Sequence, residues 1–137
     1  MKYDDASWHY GGEFPADLPN EAGATHIAMF LTWCLLNDLG GSLHVEEVPE
    51  ELERLRNREE TPGKWFIRCC DEKFTDEDLN DVGNSFCLFF YHAKKAPYLN
   101  KYTEAFPDVE SLYAVPDTWE SFDKLAPRIS AGFQQWR

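Results

Sequence analysis

Carboxylate, hydroxyl and imidazole side chains lie close together near the start of this sequence, in a segment that contains Asp4, Asp5, Ser7 and His9. These are the groups that acid–base and nucleophilic catalysis use. Catalytic groups are usually gathered from distant parts of a chain, whereas these are neighbours in an irregular segment. We therefore expect the carboxylates to cap turns and His9 to make one hydrogen bond beside aromatic rings. A catalytic site of Asp4, Asp5 and His9 is the alternative.

The other histidines and the cysteines do not form a metal-binding pattern. His26, His44 and His92 each lack a second histidine or an acid at helical spacing on an apolar face. No C-x-x-C spacing connects the cysteines, which favours free thiols in a reducing cytoplasm. They are Cys34, Cys69, Cys70 and Cys87. The sequence therefore predicts no catalytic residue set, no metal site and no cofactor.

Acidic residues dominate the charge of the chain. Its 137 residues include 25 Asp and Glu against 13 Lys and Arg, which gives a formal net charge of −12. Such a chain is repelled by nucleic acids and by anionic membranes, so a basic protein is the expected partner. The first residues are polar and acidic, without the apolar stretch of a signal peptide, and we expect a cytoplasmic location.

Three segments carry nearly all of the negative charge: residues 1–21 (net −4), 44–60 (net −4) and 71–81 (net −5). If the segments converge, they form an acidic face that steers a basic partner. The alternative is a solvated surface without a partner. Helix dipoles favour acids in first turns only, so acids beyond those turns need another reason. The predicted partner-binding residues are Glu59, Glu60, Asp76, Glu77 and Asp81.

The residues from His26 to Leu39 form the most apolar stretch of the chain, and other elements must pack around it. Apolar residues recur there at helical spacing and fill the remaining faces as well. They include Ile27, Met29, Phe30, Leu31 and Trp33. A helix that is apolar nearly all round belongs in a core. About ten apolar residues are too few to span a bilayer, which needs roughly twenty. The stretch therefore predicts a central helix, with Thr25 as its cap.

Helical spacing recurs in the second half of the chain. A second core helix is predicted after Thr75, with Asp78 completing a capping box. The last helix is predicted to begin at an Asp117 cap, with a kink or break at Pro127. Residues 112–115 are predicted to form a short strand. We expect a mainly α, single compact domain over residues 1–137. It would have five to six helices around the central one, an aromatic N-terminal arm and at most a small β element.

The opening motif YDDASWHYGG, residues 3–12, resembles that of a family of uncharacterised bacterial cytoplasmic proteins. The resemblance continues through residues 21–26, 74–80 and 119–123, and so extends over nearly the whole chain. The family implies no activity and no catalytic residues. Some small acidic proteins of this general kind resemble immunity proteins, which neutralise a toxin used in competition between bacteria.

Charge and resemblance together predict a non-catalytic acidic binding protein. Its function would be that of an immunity protein that neutralises a bacterial toxin by occluding the toxin's active site. The partner would be a basic protein, not a nucleic acid or a membrane. Two alternatives stay open. One is a small enzyme that uses Asp4, Asp5 and His9. The other is a self-associating structural domain, with a seam of aromatic residues from the arm or of Trp136. The sequence leaves the oligomeric state open.

Overall fold

Six α-helices and one antiparallel strand pair are found in the residues that the computed structural model describes, 1–10 and 14–137. The strands are β1 (Lys2–Asp5) and β2 (Lys73–Thr75). The helices are α1 (Thr25–Leu36), α2 (Pro49–Arg56), α3 (Pro62–Cys70), α4 (Asp81–Cys87), α5 (Tyr98–Ala105) and α6 (Trp119–Trp136). The predicted mainly α fold with a small β element is confirmed. The Gly11-Gly12 pair of the opening motif lies outside the described residues.

Helix α1 is the centre of the core, as its apolar pattern predicted. Every residue from Thr25 to Leu35 is buried, and α2, α3 and α6 all contact this helix. The Phe30 ring lies 5.9 Å from Phe86 and 6.1 Å from Phe90, measured between ring centroids. One hydrophobic cluster extends along the chain from Tyr3 to Ile129. The described part of the chain therefore folds around a single core.

Strand β1 fixes the N-terminal arm to the middle of the chain. It pairs antiparallel with β2, with Lys2 opposite Thr75 and Asp5 opposite Lys73. The terminal ammonium group donates to Asp76 Oδ1 at 2.9 Å, which extends the same contact. As a result, the first five residues are held in place by residues some seventy positions further along the chain.

Side-chain caps explain where the structure departs from the predicted boundaries. Helix α1 begins at Thr25 itself, after Ala24, without a side-chain cap. The Thr75–Asp78 capping box is present, but it caps a 3-10 turn at Asp76–Asp78. Helix α4 is instead capped by Asn80, whose side chain accepts from the Gly83 amide. The strand predicted at residues 112–115 is wrong: Leu112–Ala114 is a 3-10 turn, because the hydroxyl of Ser111 accepts from the Tyr113 amide at 3.1 Å.

The last helix is capped by Thr118 and not by Asp117. The Asp117 carboxylate instead accepts from the Gly63 amide at 2.7 Å and from the Thr61 hydroxyl at 2.5 Å, and so serves the start of α3. Of the kink or break expected at Pro127, the break does not occur, since helix α6 continues past Pro127 to Trp136. Within the described ranges, no helix combines the length and apolarity needed to cross a membrane.

Replacing Phe30 or Phe90 by Ala should lower the free energy of unfolding by about 3–5 kcal/mol, because both rings are fully buried and leave a cavity. Phe89→Ala is the matched control, since that ring is 49% exposed and should cost less than about 1 kcal/mol. Urea unfolding followed by circular dichroism measures all three changes. A loss below about 1 kcal/mol at Phe30 or Phe90 would contradict the described core.

Candidate functional site

The carboxylate of Asp4 brings together side chains from separate parts of the chain. Asp4 lies in β1, and its Oδ1 accepts from the Asp5 amide (2.8 Å) and from His9 Nε2 (2.9 Å). Its Oδ2 accepts from the Tyr91 hydroxyl at 2.6 Å. The Nε2 atom of His26, at the start of α1, lies 3.8 Å from the same oxygen, which is too long for a hydrogen bond. We call Asp4, His9 and His26 the Asp–His cluster.

Burial and hydrogen bonding set the ionisation of this cluster. Burial acts to raise the pKa of Asp4, but the hydrogen bonds from His9 and Tyr91 outweigh it and hold that pKa below its ordinary value. Burial, with a smaller contribution from His9, lowers the pKa of His26 to about 3. Burial and the neighbouring Asp4 raise the pKa of Tyr91. At neutral pH the cluster therefore contains an anionic carboxylate beside a neutral His26 ring.

His26 is the exceptional member, because its ring makes no hydrogen bond to any residue that the structure describes. The residue is only 2% exposed, and Nδ1 has no partner. His9 differs, since its Nδ1 lies 2.8 Å from the Tyr113 hydroxyl while its Nε2 donates to Asp4. The two imidazoles meet edge to face, with ring centroids 4.6 Å apart. Buried polar atoms nearly always have a partner, so the isolation of His26 calls for an explanation.

A cavity of about 190 Å³ opens beside the cluster. Its lining residues are Tyr3, Asp4, His9, His26, Tyr91, His92, Tyr98 and Leu99. None of these carries a serine hydroxyl or a thiol, so the cavity offers no such nucleophile. It does offer a carboxylate and imidazoles, which can bind a cation or a polar small molecule.

The N-terminal residues predicted as one site divide into two roles. Asp5 caps the turn at Ala6–His9, since its Oδ1 accepts from the Ser7 amide at 2.9 Å and from the Ser7 hydroxyl at 2.8 Å. Burial acts to raise the pKa of Asp5, but hydrogen bonds from Lys2 and Ser7 lower it to about 2. Asp4 and His9 instead face residues from distant segments. Sequence reasoning missed His26, Tyr91 and Tyr113; a polar residue at the edge of a wholly apolar helix was the available signal for His26.

A second polar cluster lies between the turn at Leu43–Glu47 and the turn at Asp76–Asp78. His44 Nε2 donates to Asp78 Oδ1 at 2.8 Å, and both residues are buried. The Cys70 thiol lies 3.9 Å from the same oxygen, and burial followed by Asp78 raises its pKa. Asp78 Oδ2 accepts from the Thr75 amide at 2.8 Å. The carboxylate is therefore already used to join two segments of the backbone.

The five predicted partner-binding acids fall into two groups. Glu60 is held by Arg68, with Arg68 Nη2 2.6 Å from Glu60 Oε1, and its carbonyl accepts from the Trp119 indole. Glu59 adjoins it in the same loop and is exposed. Asp76 and Glu77 lie in the turn at Asp76–Asp78, which contacts the turn at Leu43–Glu47, and Asp81 is the first residue of α4. Asp76 is the acid that pairs with the terminal ammonium group.

Two depressions border the bridge between Gly40 and Leu79, one lined by Gly40 and the other by Leu79. The first, of about 470 Å³, is lined by Glu47 and Glu77. The second, of about 390 Å³, is lined by Val45, Glu53 and Asn80, and also by Arg56, which pairs with Asp38 at 3.5 Å. We call the exposed acids around the bridge the acidic surface: Glu46, Glu47, Glu53, Glu77 and Asp81. Within the described ranges, no Lys or Arg lies within ion-pair distance of these five carboxylates.

The fold and these two sites define a small helical protein with a strand-anchored N-terminus. The chain belongs to the family of the domain of unknown function DUF7832, whose model matches residues 2–115. The resemblance to an uncharacterised family is thereby confirmed, although the match ends before residues 119–123. No curated protein matches the chain. No solved structure matches it either.

Tyr91→Phe should lower the free energy of unfolding by roughly 1–3 kcal/mol, because it leaves the buried Asp4 Oδ2 without its donor. Tyr102→Phe makes the same chemical change where the buried hydroxyl has no partner among the described residues. That control should be neutral or stabilising. Urea unfolding compares the two variants. Equal losses, or no loss in Tyr91→Phe, would show that the Asp4–Tyr91 hydrogen bond does not stabilise the fold.

Proposed function

We propose that this protein is a non-catalytic binding protein that holds a basic protein partner on the acidic surface. One observation carries the proposal. The Gly40–Leu79 bridge and the His44–Asp78 hydrogen bond bring the acid-rich turn at Leu43–Glu47 against the segment 76–81. Two of the three acidic segments of the sequence therefore meet on one side of the molecule.

The composition of the acidic surface suits a protein partner. Residues 43–53 contain five acids and no Lys or Arg. Among the residues that the structure describes, four of these acids lack an ion pair, because only Glu51 is bound by arginines, Arg54 and Arg68. The local charge is therefore negative, with Arg56 as the basic residue that lines the same depression. Val45 is 50% exposed and Val82 is 42% exposed beside these acids. Charges around exposed apolar side chains are typical of interfaces, in which the apolar groups are buried and the charges steer association.

The surface differs from the one that sequence reasoning favoured. Glu77 and Asp81 remain in it, while Glu46, Glu47 and Glu53 take the place of Glu59 and Glu60. Glu60 is a poor recognition residue because Arg68 already neutralises its carboxylate. Asp76 is likewise paired, with the terminal ammonium group. Unpaired carboxylates are the better binding groups because they need not first break an ion pair.

In its finer form, the proposal is that the protein acts as an immunity protein in the bacterial cytoplasm and occludes a toxin's active site. Toxins that act on nucleic acids or nucleotides carry basic clefts, to which an acidic surface is complementary. Rapid binding is essential for such a role, and electrostatic complementarity accelerates association. The analogy with small acidic proteins that resemble immunity proteins points in the same direction.

The test uses the product of the adjacent gene, because an immunity protein must be made together with its toxin. Replacing Glu47, Glu77 and Asp81 together by Lys should slow association with that protein about tenfold or more at low salt. High salt should remove most of the difference by screening. Stopped-flow or surface-binding kinetics at two salt concentrations measure both effects, and melting temperatures check that the variant is folded.

The matched control replaces Asp17, Asp108 and Glu110 by Lys, three exposed acids away from the bridge. It changes the net charge by the same amount and should slow association only slightly. Equal slowing by both variants would mean that net charge acts without a defined surface, which contradicts the proposal. Failure of the neighbouring protein to bind the wild type would reject the immunity function.

A further inference from the structure

The geometry of the Asp–His cluster suits a bound cation, independently of the proposed partner surface. His9 Nε2 lies 2.9 Å from Asp4 Oδ1, and His26 Nε2 lies 3.8 Å from Asp4 Oδ2. The ligand atoms of all three residues fall within 4.8 Å of one another. Ligands bound at about 2.0–2.2 Å around one zinc ion are separated by similar distances. Small side-chain movements would therefore bring all three donors onto one ion.

The buried His26 ring, which makes no hydrogen bond to the described residues, is a second reason to expect a cation at this cluster. A polar group buried without a partner costs free energy, and His26 is held in this state beside an anionic carboxylate. The buried atom without a partner is Nδ1, whereas Nε2 lies 3.8 Å from Asp4 Oδ2 and makes no hydrogen bond to the described residues. Nε2 is therefore the nitrogen that is free to bind a cation beside the Asp4 carboxylate.

We propose that Asp4, His9 and His26 bind one divalent transition-metal ion, with Zn²⁺ as the ion that their donor atoms suit best. Two imidazoles and a carboxylate form a ligand set that zinc uses in sites with an open coordination position. The 190 Å³ cavity lies beside the three residues and provides room for a fourth ligand. An open position would allow a small molecule or water to reach the ion.

Two tyrosines support the ligands from outside. The Tyr113 hydroxyl oxygen lies 2.8 Å from His9 Nδ1, where it can accept a hydrogen bond from Nδ1–H once Nε2 binds the ion. The Tyr91 hydroxyl donates to Asp4 Oδ2 and orients the carboxylate. Partners of this kind fix the tautomer and direction of metal ligands in known sites. Both residues come from segments remote in sequence from the ligands.

The cluster of His44, Cys70 and Asp78 is a weaker site for the same ion. Its ligand atoms are also close together. However, Asp78 already accepts from both His44 and the Thr75 backbone. The Cys70 thiol also contacts this carboxylate, with Sγ 3.9 Å from Asp78 Oδ1. This second cluster therefore serves as the competing site in the test.

Calorimetric titration of the metal-stripped, full-length protein with Zn²⁺ tests the proposal. The wild type should bind one ion per chain and gain melting temperature with added Zn²⁺. His9→Gln should weaken binding about 100-fold or more and remove the zinc-dependent gain, because a ligand is lost. The His9 side chain is partly exposed, so the His9→Gln variant should still fold. A substitution of the buried His26 would instead prevent folding.

His92→Gln is the matched control, since His92 lines the same cavity but is not one of the three ligands. It should bind Zn²⁺ as the wild type does. Titration with Co²⁺ should give visible bands typical of nitrogen and oxygen ligands, without an intense thiolate band. The proposal is overturned if the wild type binds no ion or if His9→Gln binds as tightly as the wild type. Loss of binding in Cys70→Ser would overturn it too, because the ion would then occupy the other cluster.

Discussion

The buried hydrogen bond between His44 and Asp78 is the interaction on which the acidic surface depends. It joins the turn at Leu43–Glu47 to the turn at Asp76–Asp78, and the Gly40–Leu79 bridge reinforces the junction. Acid-rich segments repel each other, and such repulsion destabilises a compact state. A buried polar contact that overcomes this repulsion holds the exposed carboxylates together without neutralising them. Unpaired carboxylates held close together lower the stability of the folded protein. Binding of a partner would be a functional reason to retain them despite this loss.

Asp4 performs a similar structural task at the other polar site. Its carboxylate is buried, and burial of a charge is tolerated only where hydrogen bonds compensate it. The donors come from the turn at Ala6–His9 and from the segment that follows α4, so the N-terminal strand is tied to both. His26 lies within reach but is not satisfied by this network. Because the acidic surface and the Asp–His cluster use different residues, the proposed partner binding and the proposed metal binding can be separated experimentally.

Helical periodicity predicted the fold well, because apolar spacing reports directly on burial. The central helix and the packing of Phe30 near Phe90 followed from that spacing. The helix caps were less predictable from the sequence. Asp117, for example, accepts from the Gly63 amide in the first turn of α3, more than fifty positions away in the sequence. The candidate sites were the least predictable. Asp4 and His9 were visible as neighbours, but His26, Tyr91 and Tyr113 reach them only through tertiary packing. Similarly, composition identified the acidic segments but not which acids are ion-paired. Glu60 pairs with Arg68 and Asp76 pairs with the terminal ammonium group, so these two expected residues are not part of the acidic surface.

Hydrogen exchange of the protein alone and bound to the product of the adjacent gene tests the central claim most directly. A partner on the acidic surface should protect backbone amides in residues 43–53 and 76–82 and leave residues 107–116 unchanged. Protection centred instead on the loop of Glu59 and Glu60 and the start of α6, with no change around the Gly40–Leu79 bridge, would contradict the account.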